Sequence, residues 1–127
     1  MEDKRWNYFT DAEVEGLNEE FVAKLDRARH IAGIPFTITS GFRTPEKNQS
    51  IVGSVQDSAH LKGLAVDLRV QSSHEVSLIC DAAKAVGITR RIVYVDTDFQ
   101  PVHVHIDVDP DKVSEVISIR PEAAKTA

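Results

Sequence analysis

His103, His105 and Asp107 fall at every second position of the run Pro101-Val102-His103-Val104-His105-Ile106-Asp107-Val108. In a strand, successive side chains point to opposite faces. Val102, Val104, Ile106 and Val108 then make an apolar core face, and the two imidazoles and the carboxylate share the other. Groups of these types bind metal ions or move protons. A His-x-His pair alone is equally compatible with a solvated outer face.

A second segment shifts the balance. Leu64, Val66 and Leu68 alternate with Ala65, Asp67 and Arg69, again as in a strand, and Ser58-Ala59-His60-Leu61-Lys62-Gly63 precedes it. Gly63 permits a tight entry or a close backbone approach, and a bent loop can fold His60 back over Asp67. His60, Asp67 and His105 together offer two imidazole nitrogens and one carboxylate oxygen. That set suits zinc, and three protein ligands leave a fourth position for water, which marks a catalytic rather than a structural site. Non-haem iron uses a similar triad, so ligand types alone leave the metal open.

These residues need elements to hold them. Thr10-Asp11-Ala12-Glu13 reads as a capping box opening a first helix. Val14, Leu17, Phe21, Val22, Leu25, Ala28 and Ile31 follow at helical spacing, and Gly33 is its stop. Residues 35–40 read as a strand, and the polar stretch 41–59 as a long functional loop with a helical turn after Pro45. Leu64 to Val70 is a second strand. Ser72-Ser73-His74-Glu75 is a second capping box, opening a helix that ends near Gly87 with Val76, Ile79, Cys80, Ala83 and Val86 as its stripe. Arg91–Val95 and Val102–Val108 are further strands. Asp109-Pro110 predicts a short C-terminal helix, with a frayed tail after about residue 120. The expected class is α+β, a central, mainly antiparallel sheet with helices packed on one face.

The chain of 127 residues, 42% apolar and 28% charged, is read as one domain, 1–127, able to bury a core. A net charge of −5 argues against nucleic acid as a partner. One cysteine, Cys80, rules out an internal disulfide and is read as a core residue. No apolar run reaches membrane-spanning length, so no membrane insertion is expected. The N-terminus shows no apolar signal region, so synthesis in the cytoplasm is expected. His30 and His74 read as surface residues.

The pattern Ser58-x-His60-x-x-Gly63-x-Ala65-x-Asp67 with a downstream His-x-His strand resembles the zinc D-alanyl-D-alanine carboxypeptidases and their relatives. These include murein endopeptidases and phage endolysins that cut between L-alanine and D-glutamate. Ser40-Gly41-Phe42-Arg43-Thr44-Pro45 resembles that family's Ser-Gly-aromatic-Arg segment, and Tyr8-Phe9-Thr10 resembles openings of its short members. The resemblance spans roughly residues 7 to 108. It implies the compact α+β fold shared with the hedgehog signalling domain, and one Zn2+ per chain held by His60, Asp67 and His105. It also implies peptidase action on peptidoglycan stem peptides, of endolysin or D,D-carboxypeptidase type. An enzyme of that kind is expected to reach the wall through a separate membrane-permeabilising protein.

The resemblance further implies roles. Arg43 would bind the substrate carbonyl or its developing oxyanion; Ser58 would orient His60 or contact substrate, with a loop-capping hydroxyl an equal alternative. Asp107 can hold the far nitrogen of His105. Many relatives place Glu or Asp three residues before the last ligand, where this chain has Val102. One branch has a His two residues before it, matched by His103, and a further His five before, where this chain has Gln100. His103 is therefore the first candidate for the base or for a transition-state stabiliser, with Asp98 and Asp96 as alternative bases. The missing carboxylate keeps open a second reading, a catalytically weak zinc-binding module used for binding or assembly.

Overall fold

A computed structural model describes residues 5–50, 58–113 and 116–122. The elements in chain order are α1 (Glu19–Ala32), β1 (Ile38–Ser40), α2 (Pro45–Ser50), a 3-10 turn (Ala59–Lys62), β2 (Ala65–Arg69), α3 (Ser73–Ala85), β3 (Arg90–Val95), β4 (Pro101–Asp107) and β5 (Val116–Pro121). The strands form one sheet in the order β1-β2-β4-β3-β5. All neighbours are antiparallel except β5, which runs parallel to β3. The fold is the expected α+β arrangement.

The period-two alternation sorts the sheet into two faces. Val66, Leu68, Val93, Val95, Val104 and Ile106 pack in one cluster with Phe21, Val22, Leu25 and Ala28 of α1 and Ile79, Cys80 and Ala83 of α3. Burying each such side chain is worth roughly 1.5–3 kcal/mol before entropy is counted. The other face carries registered rows. Asp67, His105, Ile92 and Ser118 lie side by side across β2, β4, β3 and β5, and Arg69, His103, Tyr94 and Arg120 form the next row.

The chain differs from expectation at two places. The Thr10 box forms, since Glu13 N–H donates to Thr10 Oγ1 at 3.2 Å and Thr10 N–H to Glu13 Oε1 at 2.9 Å. It closes a turn and does not open α1. Gly16, with φ of 81°, breaks the run in the left-handed region. The helix starts only after Asn18, whose side chain accepts the Phe21 N–H at 3.0 Å. Val14 and Leu17 still reach the core from the turn, while Ile31, expected on the apolar stripe, is 52% exposed. Gly33 ends α1 with φ of 71°, as expected.

The second difference is at the C-terminus. Residues 110–112 form a turn and bend, not a helix, and the chain returns as β5 beside β3. Order extends past residue 120, because the Glu122 N–H donates to the Val95 carbonyl at 2.8 Å. Residues 123–127, the end of the expected frayed tail, and 51–57 of the long loop lie outside the described residues. The helical turn expected after Pro45 is α2, with Thr44 Oγ1 accepting the Lys47 N–H. Ser72 caps α3 by accepting the Glu75 N–H, while Glu75 reaches back to the Gln71 N–H rather than to Ser72 itself. No helix of the described residues is long and apolar enough to cross a membrane.

Candidate metal centre

The turn before β2 is built to present His60. Ser58 Oγ accepts the His60 N–H at 3.2 Å and caps the 3-10 turn. Gly63 ends it with φ of 71°, and a Cβ there would stand 2.6 Å from the Gly16 carbonyl oxygen. That contact is to backbone, so only glycine fits. The Gly63 carbonyl in turn accepts the Asn18 N–H at 2.9 Å, fastening the turn to the start of α1.

His60, Asp67 and His105 converge on the sheet face opposite the helices, each with a donor atom within 4.8 Å of the others. Asp67 Oδ1 is 3.3 Å from His60 Nε2 and 3.0 Å from His105 Nδ1. Donors about 2.0–2.1 Å from one tetrahedral zinc stand about 3.3 Å apart, so the spacing fits the ion. Asp67 Oδ2 is turned to the Arg43 guanidinium at 3.5 Å, which leaves Oδ1 for the centre.

The far nitrogens settle where the lone pairs point. His60 Nδ1 lies 2.7 Å from the Gly41 carbonyl, which only accepts, so Nδ1 carries the proton and Nε2 offers its lone pair. His105 Nε2 lies 2.6 Å from Asp107 Oδ2, so its proton sits there and Nδ1 faces Asp67. Asp107, with no exposed surface, also takes Arg90 Nη1 at 3.0 Å and the Asp109 N–H at 3.1 Å. Two imidazole lone pairs aimed at one carboxylate oxygen repel unless a cation lies among them. This donor set therefore fits a metal, with Gly41 and Asp107 orienting the ligands.

The titration behaviour of the metal-free chain agrees. Burial works against charge on both sides of the cluster. Burial alone would raise Asp67, but hydrogen bonds from His105 and His60 hold it below the usual carboxylate range. Burial alone would lower His105, but its bonds to Asp107 and Asp67 carry it above the ordinary imidazole value.

Other expected site residues fall at varying distances from this centre. Arg43 is buried, its Nε bonded to Ser40 Oγ at 3.1 Å and its backbone N–H to the His60 carbonyl. It braces Asp67 and the His60 turn. Ser58 is buried, and its hydroxyl caps the turn by accepting the His60 backbone N–H, which is the loop-capping role the sequence also allowed. His103 lies on the same face as His105, half-buried, stacked on Tyr94 with ring centroids 4.6 Å apart. Burial holds its pKa below the ordinary value, with Asp67 and Glu122 pulling the other way. Asp96 is occupied in folding its turn, accepting the N–H groups of Asp98 and Gln100. Asp98 is exposed at that turn, and among the described residues no hydrogen bond or ion pair joins its side chain to the triad.

Sequence reasoning missed three participants. Tyr94 was accessible to it, because alternation along β3 places Arg90, Ile92 and Tyr94 on the site face. The Gly41 carbonyl gives no side-chain signal. Glu122 belongs to the stretch read as a tail.

Fold and site together define a hydrolase-type metal centre, three protein ligands on one side of an α+β sheet with a fourth position left for water. The chain belongs to the Peptidase M15 family, whose model matches residues 4–107. It is a zinc-dependent metallopeptidase, with the His-Asp-His set able to hold one ion. Its fold is similar to that of the Serratia marcescens L-Ala D-Glu endopeptidase ChiX, at a TM-score of 0.53 and 18% identity, covering 82% of this chain and 91% of that one. No curated protein matches the chain.

Proposed function

We propose that this metallopeptidase hydrolyses peptide bonds in peptidoglycan stem peptides, as an endopeptidase acting at the L-Ala–D-Glu bond. The observation that carries the reading is the convergence of His60 Nε2, Asp67 Oδ1 and His105 Nδ1, with both far nitrogens held by acceptors. The fold shared with an L-Ala D-Glu endopeptidase supports the choice of bond.

His60, Asp67 and His105 would hold the zinc, which when bound would supply a Lewis acid for the scissile carbonyl and a more acidic water. The chain's own groups do the rest. His103 is the residue we assign to take the proton of the attacking water and return it to the leaving amine. It shares the face of His105, two residues away, and burial keeps its imidazole neutral near pH 7 and free to accept. Val102, where many relatives carry a carboxylate, cannot do this. Arg43 holds a positive charge beside Asp67, where it steadies the ligand and favours negative charge growing on a nearby carbonyl oxygen.

The test is digestion of purified peptidoglycan by zinc-loaded protein, with mass spectrometry of the released fragments. New L-Ala carboxyl and D-Glu amino ends are expected. Cleavage at another stem-peptide bond would correct the bond assigned, and a zinc-loaded protein that releases no fragment would overturn the reading. His103→Ala is expected to keep zinc and lose about 10²–10⁴ in rate.

A further inference from the structure

β5 brings a carboxylate to the site that local sequence does not announce. Glu122 follows the last residue of the strand, and its backbone is pinned by the bond from its N–H to the Val95 carbonyl at 2.8 Å. Its side chain is 35% exposed, and one carboxylate oxygen lies 3.8 Å from His103 Nδ1. His103 is held on a second side by Tyr94, whose ring lies nearly parallel at 18°. The plane of the imidazole is thus set by an aromatic plate and its rotation by a charge. Neither ring nitrogen of His103 makes a hydrogen bond among the described residues.

We infer that Glu122 is the positioning residue for His103, resting on the assignment of His103 as the proton carrier. The carboxylate on the Nδ1 side favours the tautomer protonated there, which leaves the Nε2 lone pair to accept. A base oriented by a third group is a general requirement of such catalysis. The gap of 3.8 Å is longer than a hydrogen bond, and contacts of this kind tighten when substrate is seated. Glu122 does not touch the reacting atoms. It acts through His103, and it supplies, from just past the end of β5, the negative charge that Val102 does not.

The experiment compares zinc-loaded wild type with Glu122→Gln, Glu122→Ala and Glu122→Asp. Zinc content, thermal unfolding, kcat and KM are measured, together with imidazole nitrogen NMR on histidine-labelled protein. Expected are unchanged zinc content, unchanged KM, and kcat lowered on the order of tenfold to a hundredfold in the Gln and Ala variants. Glu122→Asp restores part of the rate. The NMR signals of His103 move from the Nδ1-protonated tautomer toward the other in the Gln and Ala variants, with those of His60 and His105 unmoved. Wild-type kcat and an unmoved His103 tautomer in Glu122→Ala would overturn the inference. If wild type cuts no wall peptide, the substrate reading fails, and the tautomer comparison still decides the role of Glu122.

Discussion

The two ligand imidazoles differ in what holds their far nitrogens. His60 donates to a neutral carbonyl, Gly41, and His105 to a carboxylate, Asp107. A charged acceptor makes the ring a more basic, better fixed ligand. Asp107→Ala should therefore weaken zinc binding about 10–100-fold, read by competition with a chromogenic chelator. His105→Ala should abolish both stoichiometric zinc and activity, because two ligands do not hold a catalytic ion. The pH dependence follows from the directions of the shifts. His105 is raised in the metal-free chain, so protons compete with the ion for Nδ1, and affinity should fall as pH drops through that raised value. In the metal-free chain the same raised value stabilises the fold at low pH and is lost as pH rises through it. Asp67 and Asp107 are depressed, so their contribution is present above the ordinary carboxylate range and lost as acid protonates them. Chemical unfolding across pH, with and without zinc, checks both signs. The triad and Asp107 were legible in sequence because alternation on two strands fixes which side chains share a face. The Gly41 carbonyl and the Arg43 bond to Asp67 were not, since they join segments 19 and 24 residues apart with no periodic signal.

At the scale of elements, the site depends on two glycine-controlled turns, at Gly16 and Gly63, meeting the loop of Gly41 at one place. Gly16 lies under the Phe42 ring, where a Cβ would come within 2.6 Å, and Gly63 lies against the Gly16 carbonyl. The loop of Gly41, the turn of His60 and the start of α1 are locked together there. Gly63→Ala meets backbone and demands a left-handed residue, so a loss of roughly 1–3 kcal/mol is expected from strain alone. Zinc affinity should fall with it, because the turn aims His60; calorimetric unfolding and a metal titration would show both. Gly33→Ala, with open space around it, should cost stability without touching zinc affinity. Most helices and the central strands were readable from their caps and periods. The start of α1 was not, because apolar residues at helical spacing continue through Val14 and Leu17 although Gly16 interrupts the helix. β5 was not, because its Ile117 and Ile119 are 63% and 71% exposed and its pairing is parallel to a strand more than twenty residues back. Edge strands that bury little leave little pattern.

The whole molecule separates folding from chemistry across the sheet. The cluster joining α1, α3 and one sheet face contains none of the metal ligands, and the ligands lie on the opposite face. Small zinc modules need the ion to fold because ligands replace a core. Here the core stands apart, so the metal-free chain should remain folded and unfold cooperatively. Zinc then stabilises by mass action, since it binds the native arrangement and not the open chain. At a thousandfold excess over the dissociation constant the gain is about 4 kcal/mol. For a domain of this size that corresponds to a rise in Tm of about 10–20 °C. The rise should shrink as pH falls and protons occupy His105, and it should vanish in His105→Ala. Differential scanning calorimetry of chelator-treated and zinc-loaded protein measures all three. A metal-free chain with no cooperative transition would mean that the ion, and not the helix-covered face, holds the sheet together, and the separation argued from the core cluster would fail.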